Sequence, residues 1–512
     1  MMMPAVRIPM FRILTLVALA FALLLPAKEV TAQVTAFRQA VAESAASDAA
    51  LAEFYRARAF EGIWTGSSGR DLARRTALLA AFSEAGSHGL PAGLYDPEAV
   101  MVQLRGTTTP AAQGRIEVEL SRLFLQYARD IQTGVLVPGQ VIAQIKREVP
   151  YRSRLETLTA FEQSSPAAFL RALAPSAPEY TRLMREKLRL ERLLAQGGYG
   201  PTISADSLAP GATGQPVVNL RNRLILMGFM ERSATQSYDA SIQLAVQRFQ
   251  QAHGLEADGV AERWLNRPRG SRHIWVNLTD FTARIVDNDR VTFETRSVVG
   301  ATSRDRQTPE FSDVMEFMVI NPSWYVPRSI AVNEYLPMLQ RNPGAVSHIE
   351  ITDSNGRVVN RSAANFAQYT ASTFPFSMRE PPSAGNALGQ VKFMFPNPYN
   401  IYLHDTPAQS LFARQVRAFS HGCVRLNDPF DFAYTLLARQ TADPEAFFQA
   451  RLRTGVETRV DLDDPVPVHI VYRTAFTTVT GELNFRPDIY DRDARIWDAL
   501  AAQGVAVRAI GG

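Results

Sequence analysis

Along this 512-residue chain the spacing of apolar residues changes period near Arg272, so no single architecture accommodates the whole sequence. From Gln33 to about Gly200, Leu120, Leu123, Phe124 and Tyr127, then Leu183, Leu188, Leu190, Leu193 and Leu194, recur at the spacing of an amphipathic helix. Breakers at Gly86-Ser87-His88-Gly89-Leu90-Pro91 and at Pro138-Gly139 divide this region into helices of ordinary length, and His88 reads as a structural turn residue. Beyond Arg272 the segments Ile274 to Leu278, Arg290 to Val299, Glu316 to Ile320 and Gln390 to Phe395 are short and rich in Val, Ile, Thr and Phe, which predicts strands. A multidomain α+β protein follows, and at roughly 150 residues per domain the length suits about three domains.

The expected boundaries come from composition. Residues 33–205 form a helical scaffold domain, and the Ser/Ala/Pro/Gly stretch from Pro201 to Gln215 reads as a linker. Residues 216–267 carry a compact three-helix pattern, and 271–512 form a β-rich domain. Within the last, 333–385 is longer than an ordinary connection and is a candidate lid insertion, while 466–512 is a tail of undetermined packing.

The first 32 residues predict a cleavable export signal. Arg7 and Arg12 precede the apolar run Ile13 to Leu25, and Val30-Thr31-Ala32 supplies a small-residue cleavage site before Gln33. Apolar residues at 46% and charged residues at 20% fit a globular chain, and a net charge of +4 gives no reason to expect a nucleic-acid partner. Export changes the meaning of Cys423, the only cysteine, because exported proteins normally pair theirs.

The neighbours of Cys423 supply a chemical reason for it. In Ile401-Tyr402-Leu403-His404-Asp405, read as a strand entering a turn, Tyr402 and His404 fall on one face. Fifteen residues later, Ser420-His421-Gly422-Cys423-Val424-Arg425 brings a thiol, an imidazole and a guanidinium together around a glycine. Thiolate is the nucleophilic form, and a nearby imidazole or cation lowers the thiol pKa from its usual value of roughly 8.5. Cys423 with histidine is therefore a nucleophile with its base. Backbone N–H groups around Gly422 and Cys423 are candidate donors to an acyl-transfer oxyanion. Two histidines and a cysteine are also zinc-ligand types, but the usual ligand spacings are absent, and the expectation is no metal and no cofactor.

Two resemblances follow from these residues. Leu220 to Gly228, Ala245-Val246-Gln247-Arg248-Phe249-Gln250 and Gly254-Leu255-Glu256-Ala257-Asp258-Gly259 resemble a peptidoglycan-binding type 1 domain. His404, a fifteen-residue gap and Ser420-His421-Gly422-Cys423 resemble the signature of the YkuD-type L,D-transpeptidases, and the domain order is similar to the large YcbB-like subgroup. Val298-Val299-Gly300, Thr308-Pro309, Asn321 to Pro327, Gly385-Asn386-Ala387-Leu388-Gly389 and Phe395-Pro396-Asn397 add to the likeness. Pro381 to Gly385 departs from the usual glycine and proline arrangement, and the subgroup can carry Ser where His421 stands, which makes His404 the indispensable base.

The resemblance implies a periplasmic enzyme that joins stem peptides of peptidoglycan by 3-3 cross-links through a thioester on Cys423. Cys423, His404, His421 and Gly422 are the expected catalytic set, with Tyr402, Arg425, Trp324 and Ser420 contacting substrate, and acylation of Cys423 by carbapenems is implied. The expected partners are peptidoglycan stem peptides and glycan, with other cell-wall enzymes beside them. An L,D-carboxypeptidase, a cysteine peptidase acting on stem peptides and a non-catalytic wall-binding scaffold remain alternatives.

Overall fold

The computed structural model describes residues 25–147, 149–201, 203, 208, 210–252, 270–477 and 482–505. The expected export signal up to residue 24 and the motif from Gly254 to Gly259 lie outside the described residues. The chain divides into two units, one of residues 1–137, 149–198 and 497–512, the other of 138–148 and 199–496.

The first unit is helical. Its centre is the 24-residue helix Pro110–Thr133, which starts with Thr109 accepting from the Ala112 N–H and with Pro110 in the first turn. Gly134, at φ 80°, ends it. Ile116, Leu120, Phe124 and Ile131 from this helix pack with Tyr55, Trp64, Phe82 and Phe161 into one apolar core. Glu117 lies inside that core at 0% exposure. Its carboxylate accepts the backbone N–H groups of Ile63 at 2.6 Å, Trp64 at 3.1 Å and Thr65 at 2.9 Å, with the hydroxyls of Thr65 at 2.8 Å and Tyr55 at 3.0 Å. His88 packs on Tyr180, 2.6 Å from Nδ1 to the phenol oxygen.

In the second unit, the helices Gln215–Met227 and Ala240–Ala252 share a small core of Val217, Leu224, Tyr238, Ile242 and Ala245. Gly228 at φ 86° closes the first of them. From Arg272 the chain is β-rich, with strands β1 (Arg272–Asn277), β2 (Thr282–Asp287), β3 (Arg290–Gly300), β4 (Phe311–Ile320), β5 (Trp324–Tyr325), β6 (Glu350–Thr352), β7 (Ser377–Glu380), β8 (Val391–Met394), β9 (Leu403–His404), β10 (Ala418–Ser420), β11 (Val424–Leu426) and β12 (Thr458–Val471). Nine of them form one sheet in the order β10-β3-β11-β9-β8-β4-β12-β1-β2, and an added β2–β3 pairing closes it on itself. Ile274, Val276, Met318, Phe393, Leu403, Val424, Val468 and Ile470 fill its core with Phe432 and Leu436 from the helix Pro429–Leu437.

Two features depart from the sequence reading, and a third was left open by it. The insertion is a folded body: β5, β7 and β6 make a separate three-stranded sheet, and Leu336, Leu339, Ile351, Phe366, Phe374 and Met378 give it a core. Residues 138–148, expected in the helical domain, group with the β-rich unit. There Ile145 bridges Glu310, and the Arg147 guanidinium donates to Ser312 Oγ at 2.8 Å and to the Ile470 carbonyl at 2.6 Å. The tail, in which Pro467 to Tyr472 reads from the sequence as a late strand, has its packing shown. Pro467 to Tyr472 falls almost wholly in β12, between β4 and β1, and Tyr490 and Arg492 are 4% and 1% exposed.

Candidate active site

Two sheet pairings assemble the site. β9 lies between β8 and β11, with His404 in register with Lys392 on one side and Arg425 on the other. Side chains at the same register position face the same side of a sheet, so the imidazole stands between two cationic residues. Tyr402 precedes the two-residue strand, and its ring centroid is 5.7 Å from that of His404.

The His404 ring is buried. A carbonyl can only accept, so the 2.5 Å contact from Nδ1 to the Asp405 carbonyl places the ring proton on Nδ1 and leaves the lone pair on Nε2. Burial, then the Arg425 charge, and more weakly that of Lys392, bring its pKa down to about 3 against the carbonyls of Asp405 and Leu388, so the imidazole is neutral at physiological pH. The Asp405 carboxylate faces away, accepting the Gln390 N–H at 2.8 Å and the Thr406 N–H at 2.6 Å. Gly389, at φ 60°, is required there, since a Cβ would sit 2.3 Å from that carboxylate.

Cys423 is a free, half-buried thiol. Desolvation pushes its pKa up to about 11, opposed by the backbone N–H and hydroxyl of Tyr402 and by the Arg425 charge. Its S–H points at the Asn400 carbonyl, 3.5 Å away, and Asn400 holds φ 53° in the left-handed region that asparagine tolerates. The resting pair is thus neutral thiol and neutral imidazole. Burial and the adjacent sulfur push the Tyr402 phenol pKa far up, which keeps it a hydrogen-bond donor.

The nucleophile turn is braced from within and from behind. Gly422 has φ 116°, and a Cβ there would crowd Ile401 at 3.2 Å. Ser420, 2% exposed, donates to the Cys423 carbonyl at 2.5 Å and accepts the Gly422 N–H at 3.1 Å. These contacts make Ser420 a brace where the sequence suggested a substrate contact, and they occupy a Gly422 N–H that the sequence offered as an oxyanion donor. Thr308 Oγ1 accepts the Gly300 N–H and donates to the Gly422 carbonyl, both at 2.8 Å. Behind it, Tyr490 donates to the Gly300 carbonyl at 2.7 Å, while Arg492 pairs with Glu310 at 2.6 Å and donates to the Thr308 carbonyl at 3.1 Å.

His421 is turned elsewhere. Its Nε2 lies 2.7 Å from Glu334 Oε1, and the Arg306 guanidinium reaches the same oxygen at 2.8 Å. Glu334 sits on a π-helical turn, Ala331–Tyr335, so this pair ties the insertion to the nucleophile turn. Trp324 opens β5, which pairs with β7 of the insertion, and meets Tyr335 edge-on at 6.3 Å. Arg425 has a buried Nε without a hydrogen-bond partner.

Lys392, Asn400, Glu334, Tyr490 and Arg492 were missed from the sequence, and a lysine midway in the predicted strand Gln390 to Phe395 was the one local signal. A charge in an otherwise apolar strand is costly to bury and marks a face that needs it.

Comparison with known proteins matches three stretches of the chain to family models. Residues 271–468 match the L,D-transpeptidase catalytic domain of the YkuD family, 49–186 match a scaffold domain, and 213–263 match a "Putative peptidoglycan binding domain". A Haemophilus influenzae protein named "Putative L,D-transpeptidase" is 30% identical over 236 residues, which is 44% of this chain and 47% of that protein. The chain thus spans about half the length of the curated relative it matches. The crystal structure of an L,D-transpeptidase segment from Xylanimonas cellulosilytica aligns at 17% identity, over 53% of this chain and 100% of that one, with a TM-score of 0.16. The chain carries a YkuD-family L,D-transpeptidase catalytic domain, preceded by a scaffold domain and a peptidoglycan-binding type 1 domain.

Proposed function

We propose that this protein is a periplasmic peptidoglycan L,D-transpeptidase that forms 3-3 cross-links through a thioester on Cys423. The observation that carries the proposal is the neutral His404, its Nε2 lone pair unprotonated, one strand away from a thiol flanked by the Tyr402 hydroxyl.

In this reading the Cys423 S–H turns from the Asn400 carbonyl toward His404, which takes the proton on Nε2 as sulfur attacks the carbonyl of stem residue three. The developing oxyanion receives the Tyr402 hydroxyl, a donor held beside the sulfur before reaction begins. Collapse expels the terminal D-alanine, whose nitrogen takes the proton back from His404, and leaves the thioester. The side-chain amine of a second stem then attacks, His404 accepts its proton, and the proton returns to sulfur as the new amide forms. Arg425, with its unpaired Nε, is suited to a substrate carboxylate. The His421 and Glu334 pair holds the insertion at the nucleophile turn. No step calls for a metal or cofactor.

The test is intact-protein mass after mixing the chain from Gln33 onward with a disaccharide-tetrapeptide, beside Cys423→Ala, with chromatography of the products. The expected result is a Cys423-dependent acyl adduct together with a cross-linked dimer. An adduct with trimmed tripeptide alone would mark a carboxypeptidase, and absence of both adduct and carbapenem acylation would overturn the enzyme reading.

A further inference from the structure

The helical unit contains a cavity of about 620 Å³ that the transpeptidase chemistry does not use. It opens between the C-terminal half of the helix Pro110–Thr133 and the segment Pro150 to Thr157, within the size range of small-ligand pockets. Four arginines line it, Arg122, Arg129, Arg152 and Arg154, against one carboxylate, Asp48.

That carboxylate is already engaged. Asp48 pairs with Arg154 and accepts the Leu51 N–H at the start of the helix Ala49–Ala57. Arg122 is paired with Glu119 at 3.3 Å. Arg129 and Arg152 are different. Arg129 lies over the Tyr151 ring at 5.1 Å and is 3.9 Å from Asp130 Oδ1. Asp130 is buried and its other oxygen accepts from the Tyr95 hydroxyl at 2.6 Å, so its contact with Arg129 is a long one. Arg152 has neither an ion pair nor a hydrogen bond among the described residues.

Two guanidinium forks without strong partners, in a concave site with an apolar floor of Leu125, Ala128, Val137 and Pro150, define the chemistry of a ligand. A guanidinium matches carboxylate bidentately, and the Gln126 and Gln132 side chains beside it suit amide groups. We propose that this cavity is a second peptidoglycan contact, which takes the carboxylates of a stem peptide and holds a strand away from the reacting cysteine. The inference rests on the peptidoglycan reading of the catalytic domain. The apolar floor and the amides favour a peptide over a bare phosphate.

The test uses the chain from Gln33 onward carrying Cys423→Ala, so that nothing turns over, and a disaccharide-tetrapeptide bearing a photoreactive diazirine, with labelled residues mapped by mass spectrometry. The expected result is labelling within 122–157 that falls about tenfold in apparent affinity in the double variant Arg129→Gln/Arg152→Gln, as loss of charge-assisted contacts predicts. Amidating the peptide carboxylates should weaken labelling within 122–157 in the same way, while the double variant leaves labelling around residues 400–425 unchanged. Absence of labelling in 122–157, indifference to the double variant, or equal displacement by inorganic phosphate overturns the proposal. Cross-linking by the Cys423-bearing chain is measured in parallel: if dimers form and the cavity is unlabelled, this inference fails alone, and if the cavity is labelled but no acyl adduct forms, the contact stands and the enzyme reading fails.

Discussion

Glu117 in the helical unit and Arg425 in the catalytic unit both withdraw charged atoms from water, and they are treated in opposite ways. Glu117 receives three backbone N–H groups and two hydroxyls, so its burial is fully compensated and fixes the loop 63–65 against the central helix. Around Cys423 compensation is incomplete: the Arg425 Nε has no partner, the imidazole is pressed between Arg425 and Lys392, and the S–H points at a carbonyl 3.5 Å away. A polar group that the fold satisfies is part of the fold, and a charged one left short of partners beside a nucleophile is available to what arrives there.

The largest effect that would sharpen this contrast is expected at Glu117. Glu117→Ala leaves three backbone donors buried without partners and should cost about 3–5 kcal/mol of stability. Urea unfolding would register it, and acylation per native molecule should not change. A loss well under 1 kcal/mol would break the comparison. Tyr402→Phe should do the reverse, lowering the acylation rate about a hundredfold, in the range for loss of one oxyanion donor, with the unfolding midpoint unchanged.

The smallest effect concerns pH. With the thiol pKa pushed up to about 11, the thiolate fraction rises about tenfold per pH unit through the range below it. Alkylation of Cys423 by iodoacetamide should therefore climb without levelling between pH 7 and pH 10. His404, brought down to about 3, stays unprotonated over that whole interval and adds no inflection. A plateau near pH 7 would show a preformed thiolate and imidazolium pair, contrary to the neutral pair described above.

The sequence made the site legible where its residues are local. Tyr402, His404 and Asp405 lie within four positions, Ser420 to Arg425 within six, and both runs carry their chemistry in residue types that have few bland explanations. The register that sets His404 between Lys392 and Arg425 was hidden, because it depends on three short strands meeting in one sheet. Glu334 was hidden for the same reason, being 87 residues from its partner His421. The helices Gln215–Met227 and Ala240–Ala252 were readable from their periodicity, whereas strands of two to four residues in the insertion are too short for any alternation to stand out. The brace formed by Tyr490 and Arg492 had no local mark, since an arginine in a charged tail looks solvated until Glu310 is placed beside it.

Residues 138–148 have a consequence for how the protein can be taken apart. The chain leaves its helical unit after residue 137, contributes Ile145 and Arg147 beside Glu310, Ser312 and Ile470, and returns to that unit at residue 149. The two units are interleaved along the polypeptide, so a cut in the linker before Gln215 yields a carboxyl-terminal fragment deprived of its own strap, with the Ile470 carbonyl uncovered. A faithful excision needs the peptide 138–148 supplied as a separate piece or grafted back by circular permutation, and genetic truncations that silence the protein cannot by themselves assign a role to the helices they remove.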